Sequence, residues 1–95
     1  MEMTQLEEND DWVIHIQEFP TCIYWHIRVK RWSVGVYRRM LITLYNYVEK
    51  WPDRVHAAPY VSKQQAKFMQ MLGFEWHGDV VATVDNEMIN IWRLP

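Results

Sequence analysis

The sequence is short of cysteine, glycine and proline: one, three and four of them in 95 residues. A lone Cys22 excludes an intrachain disulfide framework, and a reducing interior is the simplest compartment for such a chain. So little glycine and proline leaves no linker or low-complexity segment, and no internal repeat is visible. No apolar stretch reaches the length that spans a bilayer, and the acidic N-terminus lacks the apolar run of a signal peptide, so no membrane and no secretion are expected. Positive charge is also scarce. Ten Lys and Arg stand against twelve Asp and Glu, a net charge of −2, the reverse of a bulk nucleic-acid binder. The four histidines, His15, His26, His56 and His77, have no metal-ligand spacing and no Cys or Asp at suitable intervals, so no metal is expected.

What the chain does have is apolar and aromatic surface. Its 49% hydrophobic and 15% aromatic content, against 23% charged, describes one folded domain over residues 1–95 with a modest core. Six Trp and five Tyr are many for this length, and one or two of them are expected on a partner surface or in a groove. The acids cluster early: Glu2, Glu7, Glu8, Asp10 and Asp11 lie in the first eleven residues. That run predicts a solvated, flexible N-terminus over residues 1–11.

Alternation organises the next part. Trp12, Ile14 and Ile16 oppose Val13, His15 and Gln17; after the turn Phe19-Pro20-Thr21, Ile23, Trp25, Ile27 and Val29 oppose Tyr24, His26, Arg28 and Lys30. Two half-buried strands in an antiparallel hairpin follow. From Val36 the period changes, with Met40, Leu41, Leu44, Val48 and Trp51 on one helical face. Ser33 is its predicted N-cap, Trp32 and Tyr37 are spaced as a hydrophobic staple, and Pro52 ends the helix near Lys50. Arg54 to Ala58 is a short strand, parallel to the second one through the crossover helix. Ser62-Lys63-Gln64-Gln65 is a capping box that opens a second helix, closed by Gly73. Phe74–Trp76 is extended; Val80–Val84, the turn Asp85-Asn86-Glu87 and Met88–Leu94 form a closing hairpin. The expected fold is α/β (α+β), a small mixed sheet with two helices in the order ββαβαββ.

A capped helix start offers unpaired backbone N–H groups and a partial positive charge, a seat for an anion. Five of the ten basic residues, Arg28, Lys30, Arg31, Arg38 and Arg39, surround this one. Interleaved with Trp25, Trp32 and Tyr37 they could stack and neutralise a single nucleic-acid strand, but a solvated helix face accounts for Arg38 and Arg39 more simply.

Two blocks in this order resemble the GCN5-related N-acetyltransferase (GNAT) family. The first is the family's Gln/Arg-x-x-Gly-x-Gly/Ala turn, whose amides bind the coenzyme A pyrophosphate. Its matching positions here are Lys30, Arg31, Trp32, Ser33, Val34 and Gly35. The second is Asn-x-x-Ala-x-x-(apolar)-Tyr-x-x-x-Gly-Phe, running here from Ser62 through Phe68 and Met69 to Gly73 and Phe74. The resemblance covers residues 22–94, the family's C-terminal half. It implies a truncated GNAT-like fold, of the size of very short bacteriophage members: an acetyltransferase that disarms a bacterial CRISPR nuclease, and an acetyltransferase-like protein of the virion interior. Host cytoplasm or virion is then the expected location.

By that resemblance acetyl-CoA is the cofactor, held at Val29, Lys30, Arg31, Trp32, Ser33, Val34, Gly35, Val36 and Ser62. The departures are as specific. Ser33 replaces the turn's first glycine and narrows the approach to a phosphate. Met69 replaces the tyrosine that protonates the departing thiolate, and a thioether has no proton to give. Ser62 replaces an asparagine that contacts the coenzyme. His26 is the best candidate general base, with a reference pKa of about 6.5, and Tyr24 shares its face. A solvent-satisfied strand histidine is the plainer account of His26. Two functions stand open: acetyl transfer to a protein amine, weak or absent, or a catalytically silent protein that binds another protein, as a virion component or an inhibitor of a host factor. A homodimer through paired sheet edges is a further expectation.

Overall fold

The structure, a computed structural model, describes residues 3–81 and 88–95. In chain order the elements are β1 (Thr4–Glu8), β2 (Trp12–Glu18), β3 (Cys22–Val29), α1 (Val34–Val48), β4 (Val55–Pro59), α2 (Lys63–Met71), β5 (Glu75–Val81) and β6 (Met88–Arg93). The six strands form one mixed sheet in the order β1-β2-β3-β4-β6-β5. Only β3 and β4 pair in parallel; the other neighbours are antiparallel. The α/β (α+β) class and the two helices are as the sequence predicts. The turn predicted at Asp85-Asn86-Glu87 lies outside the described residues. β5 is one strand, with a register shift at Trp76/Gly78 where Gly78 takes φ +69°.

The acidic N-terminus differs from the expectation. Thr4–Glu8 is a sixth strand, paired with β2, so the order is βββαβαββ. The reason is local turn chemistry and charge pairing. The Asn9 carboxamide oxygen accepts from the N–H of Asp11 at 2.8 Å and of Trp12 at 2.9 Å, which closes a hairpin. Glu8 pairs with Lys30 at 3.0 Å, Asp11 pairs with Arg39, and the Tyr47 hydroxyl reaches Glu7 at 3.3 Å. A charge run that reads as a solvated tail is thus a strand whose acids have partners.

The β2–β3 hairpin has the predicted register, Trp12↔Val29 through Glu18↔Ile23. Its apolar face carries Trp12, Ile14, Ile16, Ile23, Trp25 and Ile27, each at most 7% exposed, in one cluster with Val36, Met40 and Leu44 of α1 and Phe68, Met69 and Leu72 at α2. The helices lie side by side on that face. Tyr37 and Tyr45 on α1 donate their hydroxyls to the carbonyls of Met71 and Leu72 at 3.0 and 2.9 Å. Among the described residues no helix covers the opposite face, which presents His15, Gln17, Tyr24, His26 and Arg28.

Both helix starts follow the sequence. Ser33 Oγ accepts from the Val36 N–H, and Ser62 Oγ from the Gln65 N–H, each at 3.1 Å. Trp32 and Tyr37, spaced as a staple, both meet Phe68 edge-on at 4.7 and 6.3 Å, so α2 supplies the surface between them. The capping box at α2 is half made. The Gln65 side chain does not return to Ser62 but donates to the carbonyl of Ile27 at 2.9 Å. At the far end Gly73 (φ +102°) carries the Gly73 N–H to Gln70 and the Phe74 N–H to Met69, both at 3.0 Å, a Schellman ending.

Candidate functional site

β3 and β4 stay paired over three positions only: Cys22↔Val55, Ile23↔His56 and Tyr24↔Ala57. β3 then continues five residues to Val29, while β4 runs two further to Pro59 and turns towards α2. The two strand ends part, and a groove of about 610 Å³ opens between them. Trp25, Ile27, Val29 and Ala58 line it from the strands, Gln65 and Met69 from α2, and His15 and His26 from the uncovered face. Of the sequence-predicted site residues, Val29, Trp32, Ser62 and His26 line this groove; Tyr24 does not.

The remaining predicted residues form the turn beyond it. Lys30, Arg31, Ser33, Val34 and Gly35 are exposed, and Val36 is buried beneath them. Ser33 is extended (φ −159°), its hydroxyl takes the Val36 N–H, and its carbonyl takes the Tyr37 N–H at 3.0 Å. That leaves the amides of Val34 and Gly35 open at the helix start. A Cβ built on Gly35 would meet nothing nearer than Ser33 Oγ at 3.9 Å, so packing does not demand glycine there; its absence of side chain keeps the amide approachable.

The charge around this seat is partly spent. The Lys30 ammonium donates to Glu8 at 3.0 Å and to the Asn9 carbonyl at 2.9 Å, and Lys30 holds the Glu8 carboxyl below its ordinary pKa. Arg39 pairs with Asp11 and lies 5.2 Å over the Trp12 ring. Among the described residues Arg31 and Arg38 have no carboxylate partner and are exposed beside the helix start.

His26 Nε2 lies 2.8 Å from the Gln17 amide oxygen. In the tautomer that donates from Nε2 to this oxygen, Nδ1 carries the lone pair. Half-burial, and then the charge of His15 opposite it, lower the His26 pKa, so the ring is neutral near pH 7. Tyr24 meets His26 edge-on at 5.0 Å, and burial raises its hydroxyl pKa. The two predicted catalytic side chains therefore touch, but one of them stands outside the groove. Met69, 1% exposed, lies under the groove with its sulfur 3.7 Å from the Gln65 amide nitrogen.

Two residues escape sequence reading. Gln65 falls on the alanine position of the second block, and its signal is a polar residue on the buried stripe Gln65, Phe68, Met69, Leu72. His56 is a core residue: Nδ1 accepts from the Trp25 indole at 3.1 Å, Nε2 donates to the Trp51 carbonyl at 3.2 Å, and burial lowers its pKa. It also borders a second recess of about 640 Å³ with Trp51, Arg54 and Leu94, at the end of β4 away from the groove. Among the described residues no group of three His, Cys, Asp or Glu could hold a metal, and no helix is long and apolar enough to cross a membrane. No family model, curated protein or solved structure matches this chain.

Proposed function

We propose that this is a minimal acetyltransferase-like protein that binds acetyl-CoA in the groove between β3 and β4. The observation that carries the reading is the parting of those strands directly before the open start of α1. Anionic phosphates suit the amides of Val34 and Gly35 and the unpaired Arg31 and Arg38. The amide-bearing arm suits the edge of β3 beyond Tyr24, whose backbone groups have lost β4 as partner. Bound there, the cofactor supplies an acetyl thioester, and a protein amine is the acceptor. On this reading His26, which lines the groove, takes the amine's proton. Met69 stands where the resemblance places the proton-returning tyrosine, and a thioether has no proton to give, so transfer is weak or absent. Calorimetry with acetyl-CoA and with free coenzyme A tests the reading. Binding in the micromolar range supports it, and silence up to millimolar ligand ends it.

A second reading keeps the fold and drops the chemistry: the protein binds another protein, in a virion or on a host factor. The pairing of Lys30 and Arg39 with acids favours it, as do the exposed rings of Trp32, Tyr60 and Trp76. It stands if Ser33→Gly with Met69→Tyr restores no transfer while Arg31→Glu and Arg38→Glu abolish capture of a partner. Transfer lost in His26→Ala but kept in Trp32→Ala and Trp76→Ala overturns it. Salt-insensitive retention would separate either reading from nucleic-acid binding.

A further inference from the structure

We propose that Gln65 is the residue that closes the groove, and that its carboxamide must leave the Ile27 carbonyl before a ligand's amide chain can pair with β3. This rests on the acetyl-CoA reading of the same groove. In a strand the N–H and C=O of one residue point to one side and those of the next residue to the other. The carbonyl of Ile27 points into the gap, because Gln65 reaches it from α2 at 2.9 Å. The N–H of Ile27 and both groups of Val29 point the same way, beyond the last β3–β4 pair at Tyr24↔Ala57.

Gln65 is 8% exposed and acts there as a substitute strand. Its Nε2 hydrogens are given to Ile27 and to the Met69 sulfur, while Oε1 takes no hydrogen bond from any described residue. The backbone at 65 is pinned, since its N–H is the one capped by Ser62 Oγ, so opening is a rotation of the side chain alone. A buried carbonyl left bare is costly, and the Gln65 carboxamide satisfies the one at Ile27. The same contact makes the closed form compete with the ligand, and the apparent affinity falls by the fraction of molecules that are open.

The test compares wild type, Gln65→Ala and Gln65→Asn by calorimetry. The asparagine is one methylene too short to reach Ile27. Each is titrated with coenzyme A and with adenosine bisphosphate, the nucleotide end without the amide arm. The expected result is coenzyme A binding about threefold to tenfold tighter in both variants, the worth of one hydrogen bond, with the nucleotide unchanged. An equal gain for both ligands, or no gain where wild type binds coenzyme A, overturns the gate and leaves the site standing. Silence of all three proteins towards both ligands overturns the site and the gate with it.

Discussion

At the scale of single residues, three positions divide the work between chemistry and stability. His26 lines the groove, contacts Gln17 through Nε2, and has a pKa lowered by burial. If it takes the amine's proton, His26→Ala lowers acetylation about a hundredfold or more, and the wild-type rate falls with acid only below the usual imidazole range. Rates against pH for both proteins check this. His56 has the opposite role, as acceptor for Trp25 and donor to Trp51 inside the core. Its folded pKa lies below that of the unfolded chain, so the unfolded state binds the extra proton. The stability it contributes is complete above the ordinary imidazole pKa and is lost as pH falls through the folded value. Urea midpoints are expected to fall from about pH 7 to about pH 5, with a shallower slope in His56→Asn. Gly73 is constrained twice, by φ +102° and by Tyr45 Oη, 2.6 Å from where a Cβ would stand. Gly73→Ala is expected to cost about 1–3 kcal/mol in urea unfolding.

At the scale of elements, the start of α1 is defined by Ser33 and its charge is set by β1. Ser33→Ala removes the cap and is expected to cost about 1 kcal/mol. Glu8→Gln releases Lys30 from an exposed pair that itself stabilises little. It is therefore expected to leave the urea midpoint nearly unchanged while tightening adenosine bisphosphate; unchanged nucleotide affinity would show that Lys30 does not serve the seat. The β2–β3 hairpin, both caps and the Gly73 ending were legible from residue order because each depends on neighbours in the chain. β1 was not. Its acids Glu8 and Glu7 meet Lys30 and Tyr47, and Asp11 just after it meets Arg39, all residues twenty or more positions away that no local signal announces.

At the scale of the molecule, one helical layer covers one face of a six-stranded sheet, with a radius of gyration of 13.0 Å. A ligand bound only by the folded form raises its stability by about 2.7 kcal/mol at a hundred times Kd, so acetyl-CoA is expected to raise Tm with concentration. Calorimetric scans check this. The sheet's outer strands are β1 and β5; Glu7 and Glu8 on β1 oppose pairing with a second copy, which makes β5 the edge to probe by sedimentation.

Apolar alternation, helical period and capping residues were enough to determine the class, the hairpin, the helices and the capped helix start at Ser33–Gly35, because those depend on backbone preference and on which faces avoid water. Only the tertiary structure decided that a groove opens before that helix start, and which residues line it. The parting of β3 from β4, the hydrogen bond from Gln65 to Ile27 and the pairing of Lys30 with Glu8 each join residues at least twenty positions apart. Their geometry is set by how the helices pack across the sheet, which no local pattern encodes.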